Sequence, residues 1–476
     1  MNTPTAPPAM HPNAGSLPRW RLLFPLVFGL FLGLAFLKFG NPVVLDANIP
    51  APRSATSLLH DAWPVHWADW LLLPLAAIGG LSMFAVRPRW PAGRALWTLP
   101  LLWLMWQIVA ASRTADVTFT ILAIAQFLGC VACYFIGVFF LNHRAALHVL
   151  LIGVLAGFAL CLARAINQKF EFPLTRQMMI SGQHSHWTNL PPAFVLQMRR
   201  DGAIIRTNGV EVANPVLLKK LGEGRVMGTL VYPNALAGGI LLLWPLSLVL
   251  ACARKLRPAI RAMALAITVA LGASGLLWSG SKAGWLIALA IGGLGLLRLQ
   301  WPAKLKLAAI AAAIVIGLAV FAVRFHHYFA LGATSLAARF DYWRAALQIT
   351  TSHPWLGCGP GSFECLYSHL KAPDWEMARL VHNDYLEQFS DSGIPGGLFY
   401  CAWVLLALAA AARRVWKKAD ALPFAIFIGA LAWFVQGVLE FSLYVPALAW
   451  TAFTFLGALL ALPVLPNSLD NEISNR

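Results

Sequence analysis

Charged residues are scarce in this chain, because Asp, Glu, Lys and Arg together make up 12% of its 476 residues. That is about half the share found in soluble domains. Acidic residues are the scarcer sign, with 19 Asp and Glu against 36 Lys and Arg, while 59% of the residues are hydrophobic. A spanning helix needs about 20 apolar residues. The composition therefore excludes a soluble globule and predicts a polytopic membrane protein.

Cysteine is sparse as well, and the seven cysteines give no disulfide framework. Cys130 and Cys133 form a C-x-x-C inside an apolar run, where packing within a helix is more common than metal or redox chemistry. Cys358 and Cys365 lie in a polar segment, and a disulfide between them stays open. No D-x-D motif is present in the sequence. We therefore expect no metal site and no cofactor.

Apolar runs of helical length recur along the whole chain. They predict about twelve transmembrane helices, at 22 to 39, 69 to 86, 96 to 111, 117 to 141, 146 to 163, 230 to 252, 262 to 279, 284 to 298, 307 to 323, 397 to 412, 423 to 440 and 446 to 464. The predicted units are a disordered cytoplasmic tail (1 to 18), five spans (19 to 163), a loop (164 to 229), four spans (230 to 323), a second loop (324 to 396), three spans (397 to 464) and a cytoplasmic tail (465 to 476).

Lys and Arg cluster in alternate connections between these runs. They are Arg87, Arg89, Arg94, Arg144, Arg254, Lys255, Arg257, Arg261, Arg298, Lys304, Lys306, Arg413, Arg414, Lys417 and Lys418. The positive-inside rule makes these connections and both termini cytoplasmic, so the basic charge does not indicate a nucleic-acid partner. The two long polar segments, 164 to 229 and 324 to 396, are then predicted to face the periplasm from a bacterial inner membrane.

The two predicted periplasmic segments differ in pattern. In the first, the alternating stretches 194 to 198, 203 to 207 and 210 to 212 are typical of strands. Together with the turn dipeptides Asp201-Gly202 and Asn208-Gly209 they predict a small β-meander. The second reads as helices: one over 341 to 352, a glycine-rich turn over 357 to 361, and a helix over 384 to 392. Asn383 is expected to cap the last of these, and Gly393 to end it. The predicted fold class is an all-α polytopic membrane protein with these two periplasmic segments.

Two groups of polar residues interrupt the apolar runs on the predicted outer side. The first is Arg225 with Tyr232 and Asn234, at the start of the sixth span. An arginine there is as often a snorkelling anchor as a functional residue. The second is Lys282, in a Ser-Gly-Ser-Lys turn where the positive-inside bias does not favour lysine. A simple turn between helices is the alternative.

Two further groups lie in the second periplasmic segment. Arg339 and Arg344 are followed by the glycine-rich turn, where a structural turn is favoured over a phosphate cradle because no G-K-[ST] ends it.

The other group is the most informative and consists of Arg379, His382, Asn383, Asp384 and Glu387. His382 precedes a helix N-terminus, where a neutral imidazole can act as a general base. The same helix end can bind an anion, and Arg379 adds a cation. A structural histidine is the alternative.

A base and several cations at the outer membrane surface suit a lipid-linked diphosphate donor. The leaving diphosphate is anionic, and the base takes a proton from an acceptor hydroxyl. Sugar nucleotides and ATP are cytoplasmic, so an outward-facing transferase needs a donor already anchored in the bilayer. Cationic side chains then neutralise the charge of the leaving diphosphate, as a divalent ion does in other enzymes.

The second half of the chain, about 225 to 465, resembles the O-antigen ligase and polymerase superfamily of bacterial inner-membrane glycosyltransferases. The resemblance rests on short motifs: Arg225…Gly228…Tyr232-Pro-Asn234, Ser279-Gly-Ser-Lys-Ala-Gly284, Arg339…Trp343…Pro354-Trp-Leu-Gly-Cys-Gly-Pro-Gly-Ser-Phe363, His382-Asn-Asp-Tyr-Leu-Glu387…Gly393-Ile-Pro-Gly396 and Glu440-Phe-Ser-Leu-Tyr-Val-Pro446. Their order and spacing carry the likeness, whereas the first 200 residues match only in hydropathy.

The resemblance implies an undecaprenyl-diphosphate-linked glycan as donor and metal-independent inverting transfer. It implies that His382 is the catalytic base, that Arg225 holds the diphosphate, and that a hydroxyl of lipid A core, of a glycan or of another molecule is the acceptor. Lys282 stands where many relatives have arginine, so it keeps the charge but loses the bidentate geometry. Glu440 stands where relatives often have aspartate, and we expect it to support the site together with Tyr232, Asn234, Asp384 and Glu387.

Several alternatives stay open at this point. Within the superfamily, ligases, polymerases and protein glycosylating enzymes are not separated by the sequence. A lipid-donor glycosyltransferase that uses a carboxylate of its first outer loop, Asp46 or Asp61, is a second enzyme class. A transporter or flippase of lipid-linked sugars is the non-enzymatic alternative, although transporters usually place ionisable residues at mid-membrane.

Overall fold

The structure, a computed structural model, describes residues 19 to 86, 93 to 200, 202 to 253, 255 to 330, 334 to 416 and 420 to 462. Both predicted tails (1 to 18 and 465 to 476) lie outside the described residues. So do five of the residues used for the topology prediction and one of the predicted turn: Arg87, Arg89, Arg254, Lys417, Lys418 and Asp201.

The first half of the described chain is helical apart from one hairpin. Its elements are α1 (Leu23–Lys38), α2 (Ala55–His60), α3 (His66–Val86), α4 (Ala95–Ala110), α5 (Val117–Phe140), α6 (Arg144–Ser185), α7 (Pro192–Arg200), β1 (Ile204–Thr207), β2 (Val210–Ala213) and α8 (Pro215–Glu223). A short 3-10 turn, Val43–Asn48, follows α1 and becomes important at the site.

The second half of the described chain is helical throughout. It contains α9 (Pro233–Ala251), α10 (Pro258–Ser279), α11 (Lys282–Leu297), α12 (Ala303–Ala330), α13 (Thr334–Ser352), α14 (Phe363–Leu370), α15 (Asp384–Val415), α16 (Ala421–Gln436) and α17 (Pro446–Ala461). The two halves are not separate units, because α9 packs on α16 and α5 packs on α17.

Seven helices of the described chain are long and apolar enough to cross a membrane: α4, α5, α6, α9, α10, α12 and α15. Four shorter apolar helices, α1, α11, α16 and α17, accompany them. These eleven helices and α3 coincide with the twelve predicted apolar runs. An all-helical membrane protein is thus confirmed, while the number of crossings and their orientation stay predictions.

Small residues bring the helices together. Gly29 and Gly33 of α1 face Gly153 and Gly157 of α6 so closely that a Cβ on any of them would meet the backbone of the partner helix. This four-residue spacing of glycines is typical of tightly packed membrane helices. The close contact fixes α1 against α6, and with it the two segments that follow these helices on the predicted outer side.

The segment from 164 to 229 differs from the prediction. Its N-terminal third continues α6 as far as Ser185, with Pro173 inside the helix, and Arg164 pairs with Glu171 two turns further along. The predicted strand at 194 to 198 is helical too, within α7. Only the Asn208-Gly209 hairpin is confirmed, with both turn residues at positive φ. The β-meander prediction was wrong: the described part of the segment holds two strands.

The segment from 324 to 396 is helical as predicted. Helix α13 ends at Ser352, Asn383 caps α15 by accepting hydrogen bonds from the amides of Tyr385 and Leu386, and α15 is broken at Ser392 and Gly393. Gly393 has φ +70°, and a Cβ there would run into the backbone of Trp355. The predicted start of the segment was too early, since α12 continues to Ala330 and Arg324 lies on this helix.

Candidate functional site

Glu440 is the centre of a polar group formed by residues from four distant parts of the chain. Its side chain is 1% exposed. One carboxylate oxygen, Oε1, accepts hydrogen bonds from Asn234 Nδ2 and from Arg339 Nη2, each at 2.7 Å. The other, Oε2, accepts a hydrogen bond from the Tyr232 hydroxyl at 3.1 Å. The carboxylate is buried with a cation and two neutral donors, which is how a buried charge is tolerated.

The start of α9 places Tyr232 and Asn234. Pro233 is the first residue of this helix, so its neighbours occupy the N-cap and the first turn. Burial, and secondarily the charge of Glu440, raise the pKa of the Tyr232 phenol well above its usual value. Tyr232 therefore stays protonated and can donate to Glu440.

Arg225 joins this group through Asn234. Its Nη2 donates to Asn234 Oδ1 at 2.9 Å, and its Nε donates to the carbonyl oxygen of Ser279 at 2.8 Å. Burial lowers the pKa of Arg225 from its usual value, yet a guanidinium keeps its charge in proteins. Arg225 thus links the start of α9 to the turn between α10 and α11, where Lys282 begins α11.

A glutamine of α6 holds the Arg225 segment in place. Gln168 is buried; its Oε1 accepts hydrogen bonds from the amides of Met227 and Gly228, and its Nε2 donates to the Gly228 carbonyl oxygen at 2.7 Å. No sequence motif selects Gln168, which lies five residues after the apolar run that ends at 163. It shows how the first half of the chain contributes to the site.

Arg339 reaches Glu440 from α13. Besides its ion pair with the carboxylate, its Nε donates to the Leu439 carbonyl oxygen at 3.0 Å. The side chain is 13% exposed. The charge of Arg339 is therefore largely satisfied by Glu440, and this pair ties the second periplasmic segment to the chain between α16 and α17.

His382 lies on the other side of the same carboxylate. Its Nδ1 is 3.7 Å from Glu440 Oε2, and its ring lies between Tyr342, nearly parallel at 5.8 Å, and Phe441, edge-on at 4.6 Å. Nδ1 is buried without a hydrogen-bond partner, whereas the side chain as a whole is 28% exposed. The exposed part therefore belongs to the other ring atoms, which include Nε2.

The backbone at His382 is left-handed, with φ +55°. This conformation costs about 1 to 2 kcal/mol for a residue with a Cβ, so it needs support from its surroundings. On one side, the amide of Val381 donates to Glu387 Oε2 at 2.8 Å. On the other, the amide of Asp384 donates to the carbonyl oxygens of Gly437 and Glu440. Asp384 and Glu387, expected to support the site, are thus placed next to the histidine.

Lys282 is the first residue of α11, after Ser281 caps the helix by accepting a hydrogen bond from the amide of Gly284. Its Nζ lies 3.7 Å from the centre of the Tyr328 ring and 5.4 Å from that of Phe325. It interacts electrostatically with Arg225 and Arg339. Three of the predicted cations, Arg225, Lys282 and Arg339, therefore lie in one region with His382.

Arg379 is placed differently from this group. Its Nη1 donates to the carbonyl oxygen of Val44 at 3.0 Å, and its Nε is 3.5 Å from Glu364. Among the described residues, its polar contacts include none with the Glu440 group. Arg379 therefore connects the loop before His382 to the 3-10 turn after α1.

The glycine-rich turn is structural. The amides of Cys358 and Gly359 donate to carbonyl oxygens of α15, and the amide of Gly361 donates to Asp391 Oδ2 at 2.8 Å. These amides are therefore used within the protein, as the sequence analysis favoured, and the phosphate-cradle interpretation was wrong. The thiols of Cys358 and Cys365 are both free.

The alternative carboxylates lie in the first outer loop. Asp46 Oδ2 is 2.7 Å from His66 Nδ1, and Asp46 Oδ1 accepts a hydrogen bond from the amide of Val65. Asp61 is exposed, and its backbone carbonyl oxygen accepts from Lys38. Within the described part of the chain, no group of three or more His, Cys, Asp or Glu side chains is arranged to hold a metal ion.

Sequence reasoning missed Tyr342, Phe441 and Arg324 as neighbours of the site. A signal existed for the first two, because Tyr342 is three residues from Arg339 in the sequence and Phe441 follows Glu440. Arg324 directly follows an apolar run and was assigned to a loop.

Comparison with known families agrees with this arrangement. Residues 267–401 match the family model described as O-Antigen ligase. This segment of the chain belongs to the O-antigen ligase family. The match contains Lys282, Arg339 and His382, whereas Arg225, Asn234 and Glu440 lie outside it and join it through the contacts above. No curated protein matches the chain.

The match of this segment and the apolar helices together support a multi-pass membrane protein of O-antigen ligase or polymerase type, in which glycosyl transfer is the expected activity.

Proposed function

We propose that this chain transfers a glycan from an undecaprenyl-diphosphate carrier to a hydroxyl acceptor at the periplasmic face of a bacterial inner membrane. The observation that carries the proposal is the position of His382, whose buried Nδ1 faces Glu440 while the remainder of its ring is open. The same carboxylate is connected to Arg339 directly and to Arg225 through Asn234. A base and anion-binding groups thus share one region.

In the proposed step, His382 is the general base. A carboxylate beside Nδ1 favours the tautomer that carries the proton on Nδ1, and this leaves the lone pair of Nε2 free. Nε2 takes the proton of the acceptor hydroxyl while the oxygen of that hydroxyl attacks the anomeric carbon. The bond from the anomeric carbon to the diphosphate oxygen breaks, and undecaprenyl diphosphate leaves with the electron pair. A single displacement of this kind inverts the anomeric configuration.

The cations stabilise the leaving diphosphate in this proposal. Two unit charges 4 Å apart attract each other by about 4 kcal/mol at an effective dielectric constant of 20, before desolvation is subtracted. Arg225 and Lys282 are the more available members, since Arg339 already pairs with Glu440. Asn383 is placed at the helix end beside the histidine, although its Oδ1 caps α15. Arg379 is not assigned to the diphosphate in this proposal, because its guanidinium contacts Val44 and Glu364.

Transfer by purified full-length protein in lipid nanodiscs tests the proposal. The donor is an undecaprenyl-diphosphate-linked repeat unit, supplied alone and with lipid A core. Attachment only to the core indicates a ligase, and chain growth without the core indicates a polymerase. We expect His382→Ala and His382→Gln to abolish transfer while the protein still inserts, and EDTA to leave the wild-type rate unchanged. His148→Gln is the matched control, because His148 is exposed on the predicted cytoplasmic side. Transfer retained by both His382 variants refutes the proposed base.

A further inference from the structure

The outer end of α12 carries a cation that the sequence analysis did not assign to the site. Arg324 is exposed there, and its guanidinium carbon lies 5.6 Å from the centre of the Phe325 ring. The Lys282 ammonium lies 5.4 Å from the same ring. The two cations therefore flank one aromatic ring, which is 7% exposed and so fixed in position.

A continuous series of contacts connects Arg324 with the histidine. Starting from α12, it passes from Arg324 over the ring of Phe325 to Lys282, and along the turn before α11 to Ser279. The Ser279 carbonyl oxygen accepts from Arg225, which in turn donates to Asn234. Asn234 donates to Glu440, next to His382. Arg324 is thus at one end of a row of charged groups and His382 is at the other.

Positive charge is in excess along this row. Its cations are Arg225, Lys282, Arg324 and Arg339. The acidic side chains that interact electrostatically with them are Glu440 and Glu223. Within the described residues, neither Lys282 nor Arg324 has an ion-pair partner. Like charges held close together are unfavourable unless an anion joins them, so this row is suited to a ligand with two negative charges.

A diphosphate esterified at both ends carries one negative charge on each phosphate. These two negative charges match the excess of two positive charges that four cations and two acidic side chains leave. The opposite half of this row holds Arg225, which is linked to the base through Asn234 and Glu440. In the half formed by α11 and α12, α12 is the least enclosed of the seven long apolar helices, since only 6% of its apolar stretch is buried. A membrane-anchored substrate meets this half from the bilayer side.

We propose that Arg324 binds the phosphate nearer the lipid chain of the donor, and that Phe325 and Tyr328 hold Lys282 beside it by cation–π contacts. This rests on the proposed function, because it assigns a further residue to the same donor site. Such contacts hold a lysine ammonium over the face of an aromatic ring and so fix the direction of the side chain.

Binding of undecaprenyl diphosphate to the full-length protein in nanodiscs, followed by tryptophan fluorescence, tests the assignment without requiring transfer. Arg324→Gln should weaken binding by about tenfold, the loss expected for one charge-assisted contact, and Arg324→Lys should restore most of it. Lys304→Gln, at the opposite end of α12, is the matched control and should bind like the wild type. Undecaprenol, which has no phosphate, should be bound equally by Arg324→Gln and the wild type.

The outcomes separate this inference from the proposed function. Wild-type affinity in Arg324→Gln together with weakened binding in Arg225→Gln overturns the role of Arg324 alone. Wild-type affinity in both variants overturns the diphosphate site as a whole. An equal loss in Lys304→Gln overturns the inference as well, because the effect is then one of net charge and not of position.

Discussion

Replacing Glu440 with glutamine removes one charge and keeps the shape of the side chain. In the protein, the carboxylate accepts from Arg339 and Asn234 through Oε1 and faces His382 Nδ1 through Oε2. The amide oxygen of a glutamine can keep the first two contacts. Its NH₂ group then lies opposite Nδ1, where it donates a hydrogen bond.

This exchange reverses the tautomer of the histidine. Donation to Nδ1 favours the proton on Nε2, and a protonated Nε2 cannot accept the proton of the acceptor hydroxyl. General-base catalysis contributes about 10²- to 10⁴-fold to a rate, and we expect kcat of Glu440→Gln to fall by this amount. Loss of the charge-assisted bond to Arg339 should lower the free energy of unfolding by about 2 kcal/mol.

Steady-state transfer kinetics in nanodiscs, with the donor varied at saturating acceptor, measure kcat and KM separately. Glu440→Asp keeps the charge and should retain more activity than Glu440→Gln. Glu171→Gln is the matched control, because its surface ion pair with Arg164 contributes little. A folded Glu440→Gln variant with kcat within threefold of the wild type refutes the role of Glu440 as the partner of His382.

Substitutions at three positions test the backbone around the site. Both His382→Gly and His382→Ala should lack transfer, but thermal unfolding should show the glycine variant to be more stable by about 1 kcal/mol, since residue 382 is left-handed; equal stability contradicts this. Asn383→Ala should lose about 1 kcal/mol of stability with its cap, and Asn383→Asp, which keeps an acceptor, should not; equal melting temperatures speak against the cap. Gly393→Ala should lose about 3 kcal/mol or more, measured as a drop in apparent melting temperature, because its Cβ meets the backbone of Trp355; an unchanged melting temperature rejects this account.

The apolar periodicity was sufficient to predict where the helices lie. It was less informative about their ends, because a helix continues past an apolar run until something stops it. Helix α6 shows this, extending 22 residues beyond the predicted end of its span at 163. At Ser392 and Gly393 the end was predictable, since a positive φ and a close backbone contact require glycine there.

The sequence allowed us to predict which residues belong to the site better than how those residues contact one another. Short motifs selected His382, Arg225, Lys282 and Glu440, but no motif indicates that a single carboxylate joins three of these regions. The bond from Gln168 to the Arg225 segment was not predictable, because a glutamine within a helix has many interchangeable partners and only the tertiary packing selects one. The contact of Arg379 with Val44 was not predictable for the same reason, since it spans 335 positions.

The contact between Asn234 and Glu440 also has a consequence for biosynthesis. These residues are 206 positions apart, so a ribosome that adds about 5 to 20 residues per second needs about 10 to 40 s to deliver the second after the first. During this interval the intervening helices insert, and Asn234, which binds Arg225, lacks its hydrogen-bond partner Glu440. Under the proposed function, a nascent chain that has not yet reached Glu440 lacks the carboxylate partner of its base and is not expected to transfer glycan.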